Sequence, residues 1–213
     1  MSSYTFTNGL GLSSSALDVS GIETIFQALL LQIFGITVDP KNPSAAWSQV
    51  LVGWQQQGQP SWLITEDKCI VTAYPLNDED FGKVRDQVIA ANNDVSVGQQ
   101  MMFTRVWRIH FTLYGPNCFK RASLIVSAMS LDWVRQILAN PPNTASHLYM
   151  LAKFDQPTWN PENFQRQWWP RTDLDLRFNE QVGESTTVSS AVSSQITLIT
   201  DQGTEEVIDL TTS

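Results

Sequence analysis

The sequence predicts an α+β fold, with strands and helices sharing one core and a β-hairpin arm at the C-terminus. Three observations predict it. Ile22, Ile25, Phe26, Leu29, Ile33 and Phe34 recur at helical spacing, which gathers them on one face. Two other stretches, 101 to 114 and 173 to 182, alternate apolar and polar residues, as a strand with one buried face does. Last, QITLIT and EEVIDL flank Asp201-Gln202-Gly203, a turn between two β-prone runs.

The elements follow in order. Residues 1 to 19 are rich in Ser, Gly and Thr and read as a flexible arm; Asp18 or Ser20 caps the first helix, and Gly35 ends it. Pro40 and Pro43 make TVDPKNPSAAW a loop. VLVGW (50 to 54) is a short strand, QQQGQP a turn and KCIVTAYP (68 to 75) a strand. Asn77 to Gly98 is polar, and its weak periodicity predicts a broken helix over Phe81 to Ile89. In the long strand, Phe103, Trp107, Ile109, Phe111 and Leu113 form an apolar face interrupted by Arg105, while Arg108, His110, Thr112 and Tyr114 face the other way. Gly115 and Pro116 turn the chain, and Asn117 caps a helix with the stripe Phe119, Ala122, Ile125, Val126 and Met129. Trp133, Val134, Ile137 and Leu138 predict a second helix, stopped at Asn140-Pro141-Pro142. HLYMLAKF (147 to 154) and DLDLRFNEQV (173 to 182) are strands separated by a Trp- and Pro-rich loop, and ESTTVSSAVSS links the second to the hairpin.

The chain thus divides into an N-terminal arm (1–19), a single domain (20–182), and a linker with a hairpin arm (183–213). A lone two-stranded hairpin is marginal in water, so it should dock on its own sheet or on a neighbouring chain.

An apolar content of 42% with 16% charge is that of a globular protein rather than a disordered one. The segment GIETIFQALLLQIFG is too short and too often interrupted to span a bilayer. The N-terminus lacks the basic and apolar regions of a secretory signal, which predicts folding in a cytoplasm and keeps Cys69 and Cys118 as thiols. The net charge is −8, and the excess acid lies at the two ends, since every Lys and Arg falls within 41 to 177. That distribution speaks against wrapping nucleic acid, which needs clustered cations to displace counterions from phosphate. It leaves open a surface that DNA passes without sticking.

Several residues invite a chemical reading. Cys118 follows a strand and opens a helix, where a thiol can be activated, yet neither His110 nor His147 lies near it in sequence. The simpler reading is a small buried side chain at a corner. Asp173 and Asp175 share a strand face and, with Glu180 and Asp155, could hold a hard cation; alternating charge on a solvated strand gives the same spacing. Asn77 to Asp80 lacks the later ligands of a calcium loop. Trp159, Trp168 and Trp169 crowd one loop, where they could stack on sugar rings, as in a carbohydrate-binding module, or anchor a protein interface. No residue emerges as a catalytic, cofactor or metal site. The candidates are protein contacts at Trp159, Trp168 and Trp169, with Ile196, Leu198, Val207 and Ile208 of the hairpin.

Four segments in order, IETIFQALLLQIFG, VGWQQQGQPSW, RVWRIHFTLYGPNCFKRA and FQRQWWPRTDLDLRFNE, resemble the phage neck (tail) terminator family of tailed bacteriophages over about residues 20 to 182. The resemblance implies helices packed on one face of a mixed sheet, and a subunit without catalysis or cofactor that forms a ring, commonly a hexamer. It further implies a place at the neck of the virion, with the subunit made in the host cytoplasm. The ring would cap the head-proximal end of the tail tube, with the tube, a sheath and the head connector or stopper as partners, genomic DNA passing through, and no membrane contact. A tail-tube or head-tail stopper subunit is the nearest alternative.

Overall fold

The computed structural model describes residues 13–53, 62–76, 85–93, 96–141, 147–151, 155–164, 166–189, 193–199 and 205–211. The elements are β1 (Ser13–Ser14), α1 (Val19–Ile33), α2 (Pro43–Trp47), β2 (Val50–Val52), β3 (Lys68–Leu76), β4 (Arg85–Asn93), β5 (Ser96–Tyr114), α3 (Cys118–Ala128) and α4 (Asp132–Ala139). Then come β6 (His147–Met150), β7 (Thr158–Trp159), β8 (Glu162–Phe164), β9 (Gln167–Trp169), β10 (Arg171–Ser189), β11 (Ser193–Ile199) and β12 (Glu205–Thr211). These residues fall into two compact units, a larger one within 15–83 and 103–182 and a smaller one within 4–14, 84–102 and 183–213. β5 and β10 contribute to both.

In the larger unit the strand order is β10-β5-β3-β2, with β6 and β7 pairing on the outer side of β10. β2 runs parallel to β3, and β3 is antiparallel to β5, so the sheet is mixed. Alternation sends Cys69, Val71 and Ala73 of β3, Trp107, Ile109, Phe111 and Leu113 of β5, and Leu174, Leu176 and Phe178 of β10 to one side. There they meet Ile22, Phe26, Leu29 and Leu30 of α1, Ala122 and Ile125 of α3, and Val134 and Leu138 of α4. The helices therefore cover one face, and the fold is the α+β arrangement expected. Phe26 is the hub: its ring lies 4.8 Å from that of Phe178 and meets Phe111 edge-on at 6.1 Å.

Asp18 begins α1 by accepting a 2.6 Å hydrogen bond from the Gly21 N–H. One turn apart on α1, Glu23 and Gln27 reach the border of the sheet. The Glu23 carboxylate accepts from the Ala73 N–H at 3.1 Å, and the Gln27 amide donates to the Val50 carbonyl at 2.6 Å. Pro75, two residues further along β3, has no N–H to offer. This border thus loses three of the groups that a foreign strand would use.

In the smaller unit, Ser13 and Ser14 pair with Ser185 and Glu184, β4 is antiparallel to β5, and β11 and β12 pair in register as their own two-stranded sheet. The predicted hairpin is present.

Several elements differ from the sequence reading. The segment read as a broken helix over Phe81 to Ile89 is the strand β4 from Arg85 onward, because β5 begins five residues earlier than its alternation suggests and supplies a partner ladder. The loop at 37 to 47 contains the short helix α2, with Pro43 in its first turn, where a missing N–H costs nothing. The Trp- and Pro-rich loop holds β7 and a small hairpin, β8–β9, turned by Arg166 at φ 66°. β10 runs on to Ser189, through half of the Ser/Thr-rich stretch read as a linker. Phe119 lies outside the α3 stripe and is 49% exposed. The turn QQQGQP and the acidic run 77 to 80 lie outside the described residues.

Candidate functional site

At the corner after β5, Gly115 adopts φ +104° beside the 66–67 backbone, where an added Cβ would come within 2.6 Å of the Glu66 carbonyl oxygen. Asn117 occupies the cap position of α3, but its side chain makes no capping bond; it donates to Asp67 at 2.9 Å, and the Asn117 N–H donates to the other Asp67 oxygen. Cys118 is buried, and the Thr172 hydroxyl donates to its sulfur at 3.3 Å. His110 bonds to Asp175 and His147 to the Ala139 carbonyl, so each histidine is engaged elsewhere. Cys69 is also buried, and burial pushes its thiol up to about 12, far from a reactive thiolate. The corner joins sheet and helix; it does not assemble a nucleophile with a base.

The sheet face opposite the helices carries a chain of charges. Arg171 donates to Asp173 at 2.8 Å and to Glu162 at 2.9 Å, and the Tyr114 hydroxyl donates to Glu162 at 2.7 Å. Burial raises the Tyr114 phenol and the bond to Glu162 raises it further, so Tyr114 stays a donor. Burial alone would lower the Arg171 pKa, but its bonds to Asp173 and Glu162 outweigh that and raise it. His110 Nδ1 lies 2.9 Å from Asp175, and this bond, more than any other contact, holds the Asp175 carboxyl below its ordinary value. Asp173 and Asp175 therefore do share a face, as the spacing predicts, but Arg171, Asn160 and His110 occupy their oxygens. Glu180, grouped with them in the sequence reading, points to the opposite, helix-covered face. Among the described residues no cluster of three or more His, Cys, Asp and Glu can hold a metal ion.

The three tryptophans are not equivalent. Trp169 packs edge-on against Phe164 at 5.8 Å, and both lie against the small cluster of Trp62, Ile70 and Tyr114 that covers one end of the charged face. Trp168, which register puts on the other side of the β8–β9 hairpin, is 66% exposed, and Trp159 on β7 is 54% exposed. In the C-terminal hairpin, Ile196 is paired with Ile208 and Leu198 with Glu206, whereas Val207 is opposite Thr197.

The larger unit is an α+β body with helices on one sheet face and a network of ion pairs and hydrogen bonds on the other. The family of phage neck terminator proteins matches residues 20–203, and the chain belongs to it. It is a structural component of the bacteriophage neck, associated in the virion with head and tail components. No curated protein matches the sequence. Among the described residues no helix is long and apolar enough to cross a membrane.

Proposed function

We propose that this chain assembles as a head-to-tail ring, commonly of six copies, which caps the head-proximal end of the tail tube, stops its growth and joins it to the head connector. Family membership carries the reading. The separate β11–β12 sheet supports it, because such a hairpin needs a partner surface and a heterologous ring contact supplies one at every copy. The exposed Trp159 and Trp168 are suited to the tube or connector side, where large aromatic side chains anchor interfaces. The charge of −8 per copy gives the ring a field that repels phosphate, so the genome slides through without being held. Tube-capping activity and DNA passage belong to the assembled ring, not to the single chain.

Negative-stain imaging of the purified chain, alone and with tail tubes, tests the proposal. Closed rings at the tube end, with tubes of arrested length, are the expected result. Stacked rings that extend the tube would make it a tube subunit instead, and a monomer that binds glycans through Trp168 would make it a carbohydrate-binding module.

A further inference from the structure

The α3 helix is built with two unlike sides. Cys118, Ala122 and Ile125 enter the core, while Leu124 stays 44% exposed and Lys120 has no ion-pair partner among the described residues. Beside them a groove of about 460 Å³ runs past Lys120, Arg121 and Leu124, with Asp67 across it. α3 contains Lys120 and Arg121 and no acid, so this face is basic in an acidic protein. Asp67, which lines the groove, is already held by Asn117 and lies 3.7 Å from the Arg121 guanidinium.

We infer that this face of α3 receives the β11–β12 hairpin of a second copy of the chain. The hairpin offers the complementary chemistry. Glu205, Glu206 and Asp209 lie on β12, and no Lys or Arg occurs from residue 178 to 213. Strand addition at the β2–β3 border is disfavoured, since Glu23, Gln27 and Pro75 occupy or remove its ladder groups. A contact through charged side chains remains, and it is heterologous, as ring closure requires. The inference rests on the ring reading above and adds the acceptor surface to it.

Two full-length variants, Ser127→Cys and Ser194→Cys, are mixed and treated with a short bis-maleimide; native Cys69 and Cys118 are buried. A cross-linked pair that forms only in the mixture is expected, and its absence overturns the inference. Lys120→Glu is exposed and should fold normally. It should weaken assembly about tenfold, as reversing an interfacial charge pair does, and adding Glu206→Lys should restore it. Rings that survive Lys120→Glu unweakened overturn the α3 contact while leaving the ring reading intact. Rings that survive deletion of 193–213 overturn the role of the hairpin in the same way.

Discussion

Glu180 accepts from four N–H groups: Leu17 N at 2.9 Å, Arg105 Nε and Nη2 at 2.9 and 2.6 Å, and Trp107 Nε1 at 2.7 Å. Its side chain is wholly buried, and the Arg105 guanidinium stacks over the Trp107 ring. A carboxylate so placed is stabilising only while its partners are present, and removing the charge leaves the partly buried Arg105 without its counter-ion. Glu180→Gln should therefore destabilise the fold by about 3 kcal/mol, measured by urea unfolding. Part of this was legible. Arg105 interrupts one apolar face and Glu180 another, and two opposite charges in otherwise apolar strand faces are a pairing signal. Which strand stood beside which was not, because adjacency of β5 and β10 is decided by tertiary packing.

A second residue-scale outcome concerns pH. The folded Asp175 pKa is depressed, so the group contributes stability above its unfolded value, about 3.9, and that contribution is lost as pH falls through the folded value. Stability measured between pH 6 and 3 should fall less steeply in Asp175→Asn than in the native chain. Equal slopes would show that His110 and Asp175 do not interact in solution.

Elements were legible where a single pattern sufficed. The α1 stripe, β3, and the alternation in β5 and β10 follow from periodicity, because each buries one face against the same core. β4 was not legible, since its weak periodicity does not announce the ladder of pairs it forms with β5. The same holds for β10 beyond Val182, where Thr and Ser carry little core signal. The α1 side chains Glu23 and Gln27 read as interruptions of an apolar run and turn out to be sheet contacts. Glu23→Ala should cost about 2 kcal/mol, the worth of a hydrogen bond to a charged acceptor. Combined with Pro75→Val it should raise light scattering during storage at high concentration; unchanged scattering would argue that the border needs no such protection.

For the whole molecule, charge is the property that composition states outright and that packing does not alter. At about 150 mM salt the purified chain should not retard duplex DNA in a gel, since two cations on α3 are few against a net charge of −8. Retardation that weakens with salt would instead reveal a basic surface created on assembly. Which of the neighbouring tryptophans is exposed was not legible. Trp169 looks like Trp168 in sequence and differs because Tyr114 and Phe164 stand on its side of the β8–β9 turn.

The pair Glu23 and Gln27 has a consequence for the subunit before it meets its partners. In any chain that is free in solution, a bare sheet border is a seed for strand addition and fibre growth. Two side chains one helical turn apart, with a proline beside them, blunt that seed using residues of the fold itself. The shelf life of the free chain is thus written into α1, the same helix that builds its core.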